Sequence, residues 1–271
     1  MYPTTIRAAL FVPATRPERF AKALAAGAEA VIVDLEDAVE HPLKNQAREN
    51  LRQFAQAHPQ ASLLVRVNDA TTAWFDDDLA ACAALDAVKG IVLPKTESVE
   101  QIKRVAATGK PVLPIVESAR GVLALDAIAG AEGVDRLSFG SLDLMLETGT
   151  TPDTEGARIL LDHIRCQILL ISAAHRLEAP LDGVYPDFSD HEGLAAIAGQ
   201  VRDMGFGGML CIHPAQIPII QSAFAPTDAE KVWAKRVVDT AESTGSSAFQ
   251  LDGKMVDAPV IQRARQILAS A

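Results

Sequence analysis

Long hydrophobic runs are missing from this sequence. No apolar segment reaches the roughly 20 residues that a helix needs to cross a bilayer, and the first residues lack the basic and apolar stretches of a secretory signal peptide. These absences argue against a membrane-spanning or exported protein. The sequence therefore predicts a cytoplasmic protein without a membrane partner.

Cysteine is scarce, and its spacing is not that of a metal or redox site. Cys82, Cys166 and Cys211 lie in separate apolar segments, and no two of them form a C-x-x-C pair. We expect three buried, reduced thiols, which fits a reducing compartment. The zinc-binding pattern H-E-x-x-H and the dinucleotide-binding pattern G-x-G-x-x-G are also absent.

Basic residues are also fewer than acidic residues. The 271 residues include 25 Lys and Arg against 35 Asp and Glu, which gives a formal net charge of -10. A diffuse acidic surface argues against a nucleic-acid partner. An anionic small molecule remains possible, because basic side chains can still cluster at one site. Hydrophobic residues make up 49% of the chain, which is enough to bury a large core.

What the sequence does contain is a repeated alternation of short apolar runs and amphipathic segments. The runs are rich in Val, Ile and Leu, which is typical of strands buried on both faces of a parallel sheet. Between them, apolar residues recur at spacings of three and four, as in helices packed on a sheet. The eight runs are 7–13, 30–37, 62–69, 90–95, 111–118, 136–144, 179–186 and 208–214.

Eight such units predict an α/β protein with a (β/α)₈ TIM barrel. The alternative is a doubly wound open sheet, which the even spacing of the runs disfavours. We assign residues 1–214 to the barrel. Residues 215–271 are expected to form a short helical C-terminal arm that is part of the same domain.

Charged or polar residues end nearly every run. In a parallel barrel the carboxyl ends of the strands meet at one rim, where active sites are built. Ionised groups so close together require counter-charges or a metal to offset their desolvation. The residues at these ends are Asp34, Glu36, Asp37, Arg66, Asn68, Lys95, Glu117, Asp143, Tyr185, Asp187 and His213.

Glu117 and Asp143 end successive runs and are expected to be neighbours at this rim. Two close carboxylates repel each other unless they share a proton or a cation. Ligands that are all oxygen favour Mg²⁺ or Mn²⁺. The alternative is a salt network in which Arg66 and Lys95 neutralise both carboxylates, and the spacing leaves the two possibilities open.

The roles of the rim cations are open in the same way. Arg66 could bind a substrate carboxylate through its planar fork, or it could pair internally with Glu36 or Asp37, and both can hold at once. Lys95 could form a Schiff base, stabilise charge or serve as a structural partner. The carboxylate pair available for a metal disfavours the Schiff base. His213 is interpreted as a hydrogen-bonding residue of the rim.

Nine segments occur in the order found in a known family. The sequence resembles the citrate lyase beta-subunit-like proteins, which group with the malyl-CoA and citramalyl-CoA lyases of the HpcH/HpaI aldolase type. The resemblance implies a (β/α)₈ barrel, Mg²⁺, and reversible cleavage of a 3-hydroxy-3-carboxyacyl thioester into an acyl thioester and a 2-oxo acid. The segments are VPATRPERFAKA, VIVDLEDAV, LLVRVN, LPK, PIVES, FGSLDL, DGVYPDF, CIHPAQI and DGKMVDAP.

The resemblance also implies roles for individual barrel residues. Glu117 and Asp143 correspond to the family's metal-binding carboxylates. Arg66 corresponds to the arginine that grips the oxo acid and stabilises its developing charge. Gly140 and Ser141 are implied to contact the substrate together with Arg66 and Glu117. The residues expected to support this site are Glu36, Asp37 and Lys95.

Outside the rim, Arg16 and Lys22 fall where such lyases contact the coenzyme A phosphates. Asp257 corresponds to an acid/base residue that the C-terminal arm delivers to a neighbouring subunit, and members of the family are commonly trimers or larger assemblies.

The preferred activity is therefore that of a malyl-CoA or citramalyl-CoA type lyase. The alternatives are the beta subunit of a citrate lyase complex, which acts on an acyl-carrier-protein thioester, and a non-catalytic oxo-acid-binding protein. Met209 and Leu144 depart from the family pattern beside the substrate positions.

Overall fold

The computed structural model describes residues 5–269. They form two compact units, which meet in sequence between Ala223 and Phe224. In the first unit, eight parallel strands close into a barrel, and β1 pairs with β8 through Ala8 and Met209. The predicted (β/α)₈ TIM barrel is confirmed, and the open-sheet alternative is wrong. The strands are β1 (Ala8–Pro13), β2 (Ala30–Asp34), β3 (Leu63–Arg66), β4 (Val88–Leu93), β5 (Val112–Val116), β6 (Ser138–Phe139), β7 (Leu181–Asp182) and β8 (Gly208–Cys211).

The barrel interior is filled by one cluster of aliphatic side chains. Seven of the eight strands contribute to this cluster, and its members are at most 5% exposed. The apolar runs of the sequence are explained by this burial, because the opposite face of each strand is covered by helices. The members that lie on strands are Ala9, Ala30, Ile32, Leu64, Val92, Leu113, Ile115, Leu181 and Leu210.

Helices connect the strands and cover the outside of the barrel. Two short 3₁₀ turns, Pro17–Arg19 and His41–Leu43, precede the first two helices. Among residues 5–269, no helix combines the length and hydrophobicity that a membrane span requires. The helices of the first unit are α1 (Phe20–Leu24), α2 (Lys44–Ala57), α3 (Phe75–Ala83), α4 (Val99–Ala106), α5 (Ala119–Leu123), α6 (Leu125–Ala129), α7 (Ser141–Thr148), α8 (Glu155–His175), α9 (His191–Met204) and α10 (Gln216–Phe224).

The sixth run is only partly a strand. The strand β6 has two residues, and α7 begins at Ser141, so Asp143 lies in the first turn of a helix rather than at a strand end. A carboxylate at this position is stabilised by the unpaired amides at the helix start. The position of Asp143 at the rim is therefore set by a short loop and one helical turn.

One of the three cysteines contradicts the sequence expectation. Cys82 and Cys211 are buried, but Cys166 is exposed on α8. Helix α8 turns Ile164 and Ile168 toward the interior of the protein. Because each helical residue is rotated by about 100° from the last, Cys166 lies on the opposite face from these two residues.

The second unit is a pair of helices with a hairpin between them. Its core contains Ala234, Val237, Val256 and Ile261. The hairpin was not expected from the sequence, although its turn, Asp252-Gly253, is a common two-residue hairpin turn with positive φ at both residues. The elements of this unit are α11 (Asp228–Thr244), β9 (Phe249–Leu251), β10 (Lys254–Val256) and α12 (Ala258–Ala269).

Closure of the barrel depends on a close approach at Gly208. A Cβ at this position would overlap the backbone carbonyl oxygens of Ile6 and Arg7, and the latter carbonyl accepts a hydrogen bond from the Met209 amide at 2.8 Å. We expect Gly208→Ala to lower the free energy of unfolding by about 1–3 kcal/mol, since backbone cannot move aside as a side chain can. Urea denaturation measures the change.

The control for this substitution is Gly199→Ala in α9, where a Cβ would meet no atom within 4 Å. Removing a glycine from an open helical position should raise the free energy of unfolding by about 0.5–1 kcal/mol. Equal stability of the Gly208→Ala protein and the wild type would contradict the described pairing of β8 with the chain leading into β1.

Candidate active site

A cavity of about 110 Å³ opens at the carboxyl ends of the barrel strands. It is lined by Glu117, Asp143 and Arg66, which lie in three different βα units. The structure thus brings together four of the eleven residues that the sequence placed at the rim. Gly140, Ser141 and Asp37 also line the cavity, and its apolar wall is formed by Phe11, Ile115, Phe139, Leu142, Val184 and Leu210.

Glu117 follows β5 directly and is only 7% exposed. Its Oε1 accepts a hydrogen bond from the backbone amide of Lys95 at 2.7 Å. Burial raises the pKa of Glu117 to about 7, the Lys95 amide and charge act in the opposite direction, and the nearby Glu36 and Asp143 raise the pKa further. An additional cation beside Glu117 would stabilise its charged form.

Gly140 allows this carboxylate to occupy its position. A Cβ on Gly140 would overlap Glu117 Oε2 and would lie 2.9 Å from Glu117 Cβ. Any residue larger than glycine would push the side chain of Glu117 away from the cavity. Gly140 is also the N-cap residue of α7 and has no side chain that could cap the helix, so the amides of the first turn are open to another acceptor.

Lys95 links the carboxylates of the rim to one another. Its backbone has φ 47°, a left-handed conformation that is uncommon for lysine and is associated with functional sites. Its Nζ donates to Glu36 Oε1 at 2.5 Å and lies 3.6 Å from both Asp37 and Asp143. Burial lowers the pKa of Lys95, but Glu36 outweighs this effect, and the pKa is above its ordinary value. The amine is protonated and is therefore not suited to Schiff-base formation.

Arg66 is held mainly by a residue that sequence reasoning did not assign to it. Its Nε and Nη2 donate to the two carboxylate oxygens of Asp34 at 2.8 and 2.6 Å, and its Nη1 lies 3.2 Å from Glu36. Burial works against the charged guanidinium, but Asp34 outweighs it and raises the pKa of Arg66. The internal ion pair is therefore confirmed with Glu36, whereas Asp37 lies farther away, at 3.8 Å.

The register of β2 and β3 explains the ion pair between Asp34 and Arg66, which sequence reasoning missed. Asp34 and Arg66 are direct partners across β2 and β3, each at the end of its strand. Aligning the segments VIVD and LLVR at their last residues would have placed the two charges side by side. The guanidinium also lies over the ring of Phe11, 4.7 Å from its centroid, and still lines the cavity.

Lys44 is a second residue that sequence reasoning missed. It is 4% exposed, and its Nζ donates to the backbone carbonyls of Leu35 and Glu36 at 2.8 and 2.7 Å. These two bonds fix the loop that carries Glu36 and Asp37 toward the cavity. The sequence carried no distinguishing signal, because a lysine at the start of an amphipathic helix is ordinarily solvated.

Several other predicted residues are held in contacts of their own. Arg16 and Lys22 are exposed near α1, where Arg16 pairs with Glu18 at 2.7 Å. Asp257 belongs to the second unit, where its Oδ1 accepts a 3.4 Å hydrogen bond from the Val260 amide at the start of α12. His213 stacks on Phe188 with 4.8 Å between ring centroids, and its Nδ1 accepts from the Ala215 amide at 3.2 Å. Asn68 is buried, and its Nδ2 donates to Asp78 Oδ2 at 2.6 Å.

The donor set at the cavity is made of oxygen. Among residues 5–269, no three His, Cys, Asp or Glu side chains are grouped as a metal site. Glu117 and Asp143 could nevertheless hold a Mg²⁺ ion as a pair, because this ion commonly takes one or two carboxylates and keeps its other positions for water and substrate. Asp143 is 43% exposed, so such a site would remain open to a ligand.

Comparison with known proteins identifies the family of this chain. The sequence model of the family described as HpcH/HpaI aldolase/citrate lyase matches residues 7–214. The chain belongs to this family. A citrate lyase subunit beta-like protein of Mycobacterium tuberculosis is 39% identical over 265 residues, which cover 97% of this chain and 94% of that protein. The family resemblance inferred from the nine segments is confirmed.

Members of the HpcH/HpaI aldolase/citrate lyase family differ in their named activities. A (3S)-malyl-CoA thioesterase of Cereibacter sphaeroides is 36% identical over 274 residues, covering 98% of this chain and 94% of that one. The crystal structure of the protein CitE from M. tuberculosis with magnesium, acetoacetate and coenzyme A has a TM-score of 0.86 and 37% identity, with 98% of both chains covered. Membership places the chain among enzymes of the aldolase and oxo-acid lyase type.

The ion pair between Lys95 and Glu36 can be tested apart from any activity. Lys95→Met would leave Glu36, 5% exposed, with one of its two cations removed. We expect a loss of about 1–3 kcal/mol in the free energy of unfolding, since an uncompensated buried charge is costly. Adding Glu36→Gln should recover part of the loss. Denaturant titration measures all three proteins.

The matched control is Lys103→Met, which removes an exposed lysine from α4. A surface change of this kind should alter the free energy of unfolding by no more than about 0.5 kcal/mol. If Lys95→Met were as mild as the control, the ion pair would not contribute to the rim as described.

Proposed function

We propose that the chain is a Mg²⁺-dependent carbon–carbon lyase that cleaves or forms a 3-hydroxy-3-carboxyacyl thioester of the malyl-CoA or citramalyl-CoA type. The products of cleavage would be an acyl thioester and a 2-oxo acid. The observation that carries this proposal is that Glu117, Asp143 and Arg66 line the same small cavity. Family membership and the ligands of the related CitE structure, magnesium, acetoacetate and coenzyme A, support it.

Glu117 and Asp143 would hold the metal. Their oxygens suit Mg²⁺, with Mn²⁺ as a possible substitute. Burial raises the pKa of Glu117, and a cation beside this carboxylate would stabilise its charged form. A bound Mg²⁺ would act as a Lewis acid toward the hydroxyl or carbonyl oxygen of the substrate. Glu36, Asp37 and Lys95 would support the site by fixing the surrounding charges.

The remaining groups of the cavity suit an oxo acid. Arg66 keeps its charge, because Asp34 raises its pKa, and it is fixed in orientation by two hydrogen bonds to that residue. It would stabilise the negative charge that develops on the oxo-acid oxygen. The open amides at the start of α7, beside Gly140 and Ser141, could donate hydrogen bonds to the substrate carboxylate.

Residues outside the cavity would complete the reaction. Arg16 and Lys22 are exposed cations near α1 and could contact the phosphates of coenzyme A. In cleavage, the hydroxyl proton leaves, the carbon–carbon bond breaks, and the released carbon takes a proton. Asp257 would serve as the acid/base group at that carbon. It would act in the site of a neighbouring copy, so the proposal includes a homo-oligomer such as a trimer.

The activity is tested with purified protein, Mg²⁺ and a panel of malyl-, citramalyl- and citryl-CoA thioesters. We expect release of a 2-oxo acid from at least one of them and its loss on chelation. Asp143→Asn should lower kcat/KM by at least about 100-fold with the fold intact by circular dichroism. The control is Asp203→Asn, which changes an exposed carboxylate in α9 and should leave kcat/KM unchanged.

The same panel separates this proposal from the other candidate functions. Release of free thiol without a 2-oxo acid would indicate a thioesterase, which is the activity named for the Cereibacter relative. Turnover only of a carrier-protein thioester would indicate a citrate lyase subunit. Binding of the oxo acid without any turnover would indicate a non-catalytic protein. Each of these results would count against the proposed activity.

The role of Asp257 in a neighbouring site predicts complementation. Asp257→Asn and Asp143→Asn proteins should each be inactive, because each lacks one essential carboxylate. Asparagine can still cap α12, so Asp257→Asn removes the charge and keeps the helix start. Mixing the two after mild dissociation should restore activity through sites that combine one intact residue from each chain. Failure of a verified mixed oligomer to regain activity would place both residues in the same chain's site.

A further inference from the structure

A second cavity, of about 320 Å³, lies beside the carboxylate cavity. We call it the side cavity. The two share Phe139, Ser141, Leu142 and Val184 in their walls, so a group leaving the carboxylate cavity past Ser141 would enter the side cavity. Its volume is within the size range of small-molecule sites. The roles proposed for Glu117, Asp143 and Arg66 leave the side cavity without a function.

The wall of the side cavity is mostly apolar. Met145 of α7, Ala157 and Leu161 of α8, Ile197 of α9 and Met209 of β8 all contribute side chains. Met209 is 1% exposed and Ala157 is 4% exposed, so these side chains are shielded from solvent. Such a wall favours an apolar occupant, because burial of each additional methylene group is favourable.

The cations of the side cavity already have partners. Arg165 forms two 3.1 Å hydrogen bonds with Asp182, which is 2% exposed, and another of 2.8 Å with Asp162. Arg158 pairs with Glu155 and lies 3.5 Å from Asp162. A carboxylate or phosphate entering the cavity would therefore compete with existing ion pairs. An uncharged occupant would leave these pairs intact.

We propose that the side cavity binds an alkyl substituent of the substrate. The enzyme therefore prefers a substrate with a longer alkyl substituent over the shortest substrate of the same reaction. This inference rests on the proposed lyase function and adds the substrate class. The substituent could be carried by the 2-oxo acid or by the acyl thioester, since both meet at the bond that forms. In condensation, the acyl α-carbon loses a proton and bonds to the oxo carbon, whose oxygen gains a proton.

The experiment measures condensation in two series. In the first, acetyl-CoA is combined with glyoxylate, pyruvate, 2-oxobutyrate and 2-oxopentanoate. In the second, glyoxylate is combined with acetyl-, propionyl-, butyryl- and pentanoyl-CoA. We expect kcat/KM to rise by about fourfold per added methylene in one series, which corresponds to the burial of one CH₂ group. The series that rises identifies which reactant carries the substituent.

Two substitutions change the size of the side cavity in opposite directions. Ala157→Leu fills it, and the ratio of kcat/KM for the longest over the shortest reactant should fall by about tenfold or more. Leu161→Ala enlarges it and should move the preference toward longer chains. A general loss of stability would not produce shifts of opposite sign. The control is Ala173→Leu, the same exchange at an exposed position of α8, which should leave the wild-type profile unchanged.

The outcomes distinguish this inference from the proposed function. If the shortest reactants condense but kcat/KM falls with chain length in both series, the lyase function stands and the alkyl site is overturned. The same conclusion follows if Ala157→Leu and Ala173→Leu give identical profiles. If no pair of reactants condenses under conditions that retain Mg²⁺, both the function and the inference are overturned.

Discussion

The ionised groups at the mouth of the barrel depend on two cations that are themselves held by the fold. Arg66 binds Asp34 through two hydrogen bonds, and Lys95 binds Glu36. In a buried setting, a carboxylate without such a partner would be protonated or would disrupt the rim. The network fixes the charge and orientation of the cavity before any ligand enters. Glu117 and Asp143 are the carboxylates of the cavity least neutralised by it, and they are the ones we propose for the metal.

Local backbone features make this arrangement possible. The left-handed conformation of Lys95 directs its amide to Glu117 while its side chain reaches Glu36. Gly140 leaves room for the Glu117 carboxylate and opens the amides of α7. Lys44 fixes the loop after β2 by donating hydrogen bonds to two of its backbone carbonyls. Each of these three residues sets the position of a charged group at the rim.

The neighbouring side cavity gives the site a second kind of surface. The carboxylate cavity is small and charged, whereas the wall of the side cavity is mainly apolar and its arginines are already paired. Two such surfaces that share a border suit a substrate with an anionic head and an apolar branch. Within a family whose members carry different named activities, a border of this kind is where substrate choice would be decided.

The sequence by itself determined the barrel and most of the rim. Eight buried strands require near-continuous apolar runs, and a charge at the end of such a run has little alternative to the rim, so Glu36, Arg66, Lys95 and Glu117 could be located by their place in the chain. Asp143 could be assigned to the rim but not to its helical turn, because two strand residues followed by glycine give no periodicity to read. The hairpin of the second unit was missed although its Asp-Gly turn was present.

Only the tertiary structure determined which charged residues form ion pairs with one another. Arg66 had three acidic candidates within four residues, and the strand register selected Asp34. The close approach of Gly140 to Glu117 and the burial of Lys44 arise between elements far apart in sequence, and no local pattern encodes them. Composition and periodicity report which face of a strand or helix is buried. Distances between charges depend on how those faces are assembled, and this is why the cavity's chemistry could be anticipated while its pairings could not.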